Sequence, residues 1–233
     1  QLTRVPSDDG LIAPAALDGP AARRGEVHHS QPRIVTITQS TENGRVWTAA
    51  NIRDFIDHAH ELGLLVHVDG SRIANAIAAL DVSPSDAIGD ADIVTVGGTK
   101  NGMLFGDAVL VRRPEHFGGI HFVQKQIGHL ASKHRFVAAQ FPAMLEDGLW
   151  LETAANANAM AKKPSEGMVA LGLPLASPTE ANEVFVDLDP DVRQKLSRSY
   201  AVHQPDLGLP AVRFVCSWAT TNDDVDGVLA ALR

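Results

Sequence analysis

Two apolar runs with a helical segment between them constrain this chain more than any other feature. Residues 33–38 (RIVTIT) are a β-branched run of strand length. Residues 51–63 (NIRDFIDHAHELG) carry apolar side chains at helical spacing and stop at a glycine, and residues 64–69 (LLVHVD) form a second apolar strand. Strand, helix and strand in that order make a βαβ unit, whose strands are parallel and whose crossover is right-handed. Residues 91–98 (ADIVTVGG) and 107–113 (DAVLVRR) add two more strands, separated by the loop TKNGMLFG. The expected fold class is α/β, built on a mostly parallel sheet.

The flanking sequence is read the same way. The first thirty residues are rich in Pro, Gly, Asp and paired charges, which predicts loop and turn followed by a short helix. From position 125 to about position 163 the strand signals stop, and alanine-rich stretches such as FVAAQFPAML and ETAANANAMA predict one or two long helices. Beyond them NEVFVDL (182–188), VRQKLSRS, VRFVCSW (212–218) and DDVDGVLAALR alternate strand and helix. Prolines at 164, 174, 178, 190, 205 and 210 fall between these segments, and the pattern predicts a smaller α+β domain.

Composition narrows the classes of function. A chain of 233 residues can bury one large core or a medium and a small one. With 45% hydrophobic and 21% charged residues and no long apolar run, no membrane span is expected. The start, QLTRVPSDDG, has neither an apolar core nor a small-residue cleavage site, so no secretory signal is read there. A single cysteine, Cys216, forms no internal disulfide and fits a cytoplasmic location. A net charge of -8 with no basic run argues against nucleic acid as a partner.

In open α/β sheets ligands bind beyond the carboxyl ends of the strands. Two such ends carry chemistry here. LLVHV ends in Asp69, followed by GSR and so by Arg72; DIVTV ends in GGTK and so in Lys100. A lysine placed after two glycines sits where backbone can approach a bulky ligand, and its amine can act as a nucleophile. An aspartate at the neighbouring strand end can pair with a cationic ring nitrogen, the arrangement that pyridoxal phosphate chemistry needs. Each residue has a plainer reading: Asp69 as a turn residue, Lys100 as a solvated charge.

The string HVDGSRIANA, followed by the lysine of GGTKNG, resembles the signature of the low-specificity threonine aldolases, within the aspartate-aminotransferase-like, fold type I group of pyridoxal phosphate enzymes. Further matches occur in order over nearly the whole chain: ITQSTENGRVWT, VQKQIGHLASKHRFVAAQ, SPTEANEVFVDL and VRFVCSWATTNDDVDGVLAAL. The resemblance implies that Lys100 holds the cofactor as a Schiff base and that Asp69 keeps the pyridine nitrogen protonated. It implies that Arg72 and Thr99 lie at the cofactor, that Arg213 clamps the substrate α-carboxylate, a role suited to a bidentate donor, and that Lys125 lies near the active site, across a subunit interface. It also implies cleavage of threonine, allo-threonine and related β-hydroxy-α-amino acids to glycine and an aldehyde, and a homodimer or homotetramer.

On this resemblance residues 1–148 are the C-terminal portion of the large cofactor-binding domain and residues 149–233 the small domain. Family members have a further N-terminal region with a phosphate-binding loop and a histidine that stacks on the ring, and neither has an equivalent in these residues; His28 and His29 are nearby candidates for assisting base chemistry. GGTKNG is not a phosphate-binding P-loop, because Thr99 precedes and Asn101 follows the lysine. His67 and Asp69 could suggest a non-haem iron site, but His67 reads as a packed strand residue and no metal is expected. Two alternatives stay open: β-elimination on the same scaffold, and a non-catalytic chain that associates with others.

Overall fold

The computed structural model describes residues 1–7, 9–201 and 211–233, so Pro205 and Pro210 lie outside the described residues. A short helix α1 (Asp18–Ala22) leads to β1 (Ile34–Thr38), α2 (Ala49–Glu61) and β2 (Leu65–Gly70). Then come α3 (Ile73–Leu80), α4 (Pro84–Ile88), β3 (Ile93–Gly97) and β4 (Asp107–Val111). Three short helices follow, α5 (Ile120–Gln126), α6 (Arg135–Ala138) and α7 (Gln140–Leu145), and then the long α8 (Leu149–Ala170). The chain closes with β5 (Glu183–Val186), α9 (Pro190–Leu196), β6 (Val212–Val215) and α10 (Asn222–Leu232).

The first sheet has the order β1-β2-β3-β4, with β1, β2 and β3 parallel and β4 antiparallel to β3. The antiparallel edge follows from loop length: the connection between β3 and β4 holds only a short helical turn, whereas a parallel crossover needs about a dozen residues or more. Thr48 caps α2 by accepting a hydrogen bond from the Asn51 amide at 3.1 Å. The apolar stripe of α2, Ile52, Phe55, Ile56 and Ala59, is fully buried with Val66, Val68 and Val94 of the sheet. Each large side chain so buried contributes about 1.5–3 kcal/mol. The strand LLVHVD is buried on one face only: Val66 and Val68 point into this core, while Leu65, His67 and Asp69 are half-buried on the other face.

The alanine-rich stretch departs from the expected helices. One long helix forms, α8, and it begins only at Leu149. FVAAQFPAML is split between α6 and α7, because Pro142 has no N–H to continue the ladder. Asp147 and Gly148, at φ 53° and 76°, turn the chain before α8. Pro164 lies inside α8 rather than between elements. An interior proline costs about 3 kcal/mol of helix stability, and here it is buried in a helix whose ends pack into two different cores.

The second core gathers Met160, Ala161 and Met168 of α8 with Val184, Val186, Leu196, Val212 and Val225 around the antiparallel pair β5-β6. A capping box between Thr221 and Asp224 starts α10, and the Thr221 hydroxyl and amide hold the Asp224 carboxyl below its ordinary value. Polar ties join the two cores. Asn158 Nδ2 of α8 donates to the Asn75 carbonyl of α3 at 2.9 Å, and Glu180 accepts from the Val46 amide at 2.7 Å and pairs with Arg45 Nε at 2.9 Å.

Candidate active site

Two strand-end loops meet at the carboxyl edge of the parallel sheet, and glycine permits the meeting. A Cβ at Gly97, the last residue of β3, would lie 2.7 Å from Ser71 Cα, and one at Gly70 would lie 2.5 Å from the Thr95 carbonyl oxygen. No side chain fits there, so the Asp69–Arg72 loop is in direct backbone contact with the end of β3, two residues before the turn that carries Lys100. Asp69 Oδ1 accepts from the Ser71 amide at 3.0 Å and from the Ser71 hydroxyl at 2.7 Å. This is the turn arrangement expected of a strand-end aspartate, and it leaves Oδ2 without a hydrogen bond among the described residues.

Lys100 lies in a single turn of 3-10 helix, Thr99–Asn101, with its side chain exposed and no ion pair among the described residues. Its neighbours pin it. The Thr99 hydroxyl accepts from the Gly106 amide at 3.0 Å, so that side chain is engaged in closing its own loop. Asn101 is buried, donates to the Trp150 carbonyl at 2.8 Å and accepts from the Thr153 hydroxyl at 3.2 Å, which anchors the turn to the first turns of α8. Gly102, at φ 107°, reverses the chain where no larger residue sits comfortably.

Arg72 precedes α3 and is 6% exposed. Its Nη2 lies 3.0 Å from Oε1 of Glu183, which is fully buried on β5, and Arg213 Nη1 on β6 lies 3.5 Å from the same oxygen. Arg213 and Glu183 are diagonal neighbours across the β5-β6 ladder, whereas Arg72 belongs to the other core. Nε and Nη1 of Arg72 and both carboxylate oxygens of Glu183 are buried without an aligned hydrogen bond. Burial pushes the Glu183 carboxyl above its ordinary 4.5, against the pull of Arg72, Arg213 and Lys100 and with Glu42 adding to the rise. The structure therefore joins Arg72 and Arg213 through a residue that the motif reading did not select. Glu183 is visible in the sequence only as a charge inside an apolar strand, NEVFVDL, a weak signal because one face of a strand is commonly solvated.

The other candidates are spread around this cluster. Lys125 is exposed in the last turn of α5 and forms no ion pair with the cluster. His28 and His29 are exposed in the loop that feeds the amino end of β1, where His29 pairs with Glu26 at 3.2 Å. His67 shares its face of β2 with Asp69 and lies between two threonines, its Nε2 2.8 Å from Thr95 Oγ1 and its Nδ1 3.4 Å from Thr36 Oγ1. Burial holds its imidazole below the ordinary 6.5, with Asp69 partly opposing. Cys216 is buried and its thiol is pushed up to about 11 by that burial, so it is no nucleophile at neutral pH. Among the described residues no group of three or more His, Cys, Asp or Glu side chains could hold a metal, and no helix is long and apolar enough to cross a membrane.

A mostly parallel α/β sheet with an aspartate and a lysine at the ends of two adjacent parallel strands is an arrangement this chain shares with a known class of proteins. The chain belongs to the beta-eliminating lyase family, whose model matches residues 1–191. Within that family it is 36% identical over 236 residues to the low specificity L-threonine aldolase of Pseudomonas sp. (strain NCIMB 10558), covering all of this chain and 68% of that relative. It is also 36% identical to the enzyme of the same name from Pseudomonas aeruginosa, of which it spans 64%. Among solved structures, the threonine aldolase of Leishmania major superposes with a TM-score of 0.92 at 26% identity, over 100% of this chain and 69% of that one. The chain thus spans about two thirds of the length of these relatives.

Proposed function

We propose that this chain carries the lysine part of a pyridoxal phosphate site and serves aldol cleavage of L-threonine, L-allo-threonine and related β-hydroxy-α-amino acids to glycine and an aldehyde. The observation that supports the reading is the backbone contact of Gly97 with Ser71, since Gly97 leads into the Lys100 turn and Ser71 belongs to the Asp69–Arg72 loop. Its relatives point the same way, being low specificity L-threonine aldolases by name. The residues fit the cofactor: Asp69 has a free carboxylate oxygen for a ring N–H, and Arg72 has two buried N–H groups without a partner, donors suited to an anionic oxygen.

Pyridoxal phosphate, when bound, supplies the electron sink that accepts the pair released as a Cα–Cβ bond breaks. In this reading the Lys100 amine holds the cofactor covalently, Asp69 keeps a proton on its ring nitrogen, and Arg72, with Thr99 beside Lys100, borders it. Arg213 orients the substrate through its carboxylate so that the bond to be broken is aligned, an effect that can carry much of a rate enhancement. Lys125 is assigned to substrate from a neighbouring subunit of a homodimer or homotetramer. The exposed apolar side chains of β4 and the helices after it, Leu110, Phe122 and Phe136 among them, support such an assembly. We place residues 1–148 and 149–233 in a large and a small domain, and the protein in the cytoplasm.

The test begins with absorbance. Added pyridoxal phosphate is expected to produce a visible band in the purified chain that Lys100→Ala lacks; a chain that stays colourless overturns the cofactor assignment. Release of glycine and acetaldehyde from threonine is expected, whereas pyruvate and ammonia from serine would replace cleavage by β-elimination.

A further inference from the structure

Glu183 stands in a strand whose four residues are all buried, among apolar neighbours that a valine would match. A carboxylate sealed from water without aligned hydrogen bonds is costly, so its place there calls for a partner that repays it. Its partners are two guanidinium groups from different cores, Arg72 at 3.0 Å and Arg213 at 3.5 Å, and neither contact is a bidentate fork. Arg72, whose Nε and Nη1 are buried without a partner, and the half-buried Arg213 form an anion-binding pair, and an internal anion is loosely seated between them.

We propose that Glu183 is a specificity-determining residue that occupies the carboxylate position between Arg72 and Arg213: an incoming α-amino-acid carboxylate displaces it, and Glu183 takes up one proton, released by the acid form of the buffer, as it lets go. The inference rests on the functional reading in one respect, the assignment of Arg213 to the substrate carboxylate.

Charge balance gives the reason for the proton. A second carboxylate between the same two cations would place like charges side by side in a low-dielectric site, and protonation of Glu183 removes the conflict. The charged groups that face Glu183 are Arg72 ahead of α3, Arg213 on β6, Lys100 on the turn after β3 and Glu42 on the loop after β1. The three cations favour its ionised form, and burial, the larger effect, favours the protonated one. Carboxylate binding then weakens as pH rises above the Glu183 pKa, by up to about tenfold per pH unit, the limit for one coupled proton.

The probe is glycine, titrated by calorimetry into the cofactor-free chain at about pH 5.5, 6.5 and 7.5, in two buffers of different ionisation enthalpy at each pH. The wild type is expected to bind with uptake approaching one proton at the highest pH. Glu183→Gln, which keeps the shape and removes the charge, is expected to bind several-fold more tightly there, without proton uptake and with a flat pH profile. Arg213→Met is expected to lose binding in either background. Wild-type binding without proton uptake overturns the inference, as does Glu183→Gln binding no more tightly than wild type with the same pH slope. No binding to either protein at any pH also overturns it, since no carboxylate position then exists. Should Glu183→Gln fail to fold, the buffer dependence of the wild type alone decides. Because no cofactor is added, failure here is distinct from failure of the Lys100 absorbance test.

Discussion

His67 shows how one side chain reports its surroundings. It lies on the half-buried face of β2 between Thr36 and Thr95, and its imidazole is held below 6.5 chiefly by burial. The native fold therefore binds this proton less well than the unfolded chain does. Its stabilising contribution is present above pH 6.5 and lost as pH falls through the lowered native value. Urea midpoints taken at about pH 7.5 and about pH 5 should fall further for wild type than for His67→Gln, which has no proton to gain. Equal falls would mean that other groups carry the acid sensitivity. At this scale Asp69, Arg72 and Lys100 were legible because each lies within a few residues of a strand end that local pattern defines. Glu183 was not, since its importance comes from Arg72, far away in sequence, and from burial that no local pattern reveals.

Among the elements, α2 and α8 contrast. α2 has a capping threonine, an apolar stripe and a glycine after its end, and it forms within two residues of where the sequence places it. Thr48→Ala should cost about 1 kcal/mol by removing the Asn51 cap, which for a chain of this size lowers the melting temperature by roughly 2–4 °C in calorimetry. Absorbance at the Lys100 site should be unaltered, because Thr48 is exposed and its cap bond to the Asn51 amide involves none of Asp69, Arg72 and Lys100. α8 is different: composition alone suggests helix over a much wider region, and Pro164 suggests a break. Propensity cannot place its ends, because they are decided by the Asp147–Gly148 turn and by packing that accepts a proline in the interior.

Across the whole molecule, the candidate site depends on two cores being held together. The first half of α8 lies against α3 through the Asn75–Asn158 pair, its second half enters the other core, and Arg72 reaches Glu183 across the join. Asn158→Ala removes the donor to the buried Asn75 carbonyl and leaves the Asn75 side-chain amide only a long bond to the Ala154 carbonyl, and should cost about 1–3 kcal/mol. Hydrogen exchange should show β5 and β6 amides opening more readily relative to those of β2 and β3; unchanged protection in both sheets would mean that the join does not depend on this pair. The sequence by itself determined the βαβ unit, the strand-end positions of Asp69 and Lys100 and the family resemblance, because period, glycine stops and short motifs act over a few residues. The tertiary structure decided the Gly97–Ser71 contact, the extent of α8 and the pairing of Arg72 and Arg213 on one buried carboxylate. Those depend on which distant surfaces exclude water together, and no local rule contains that information.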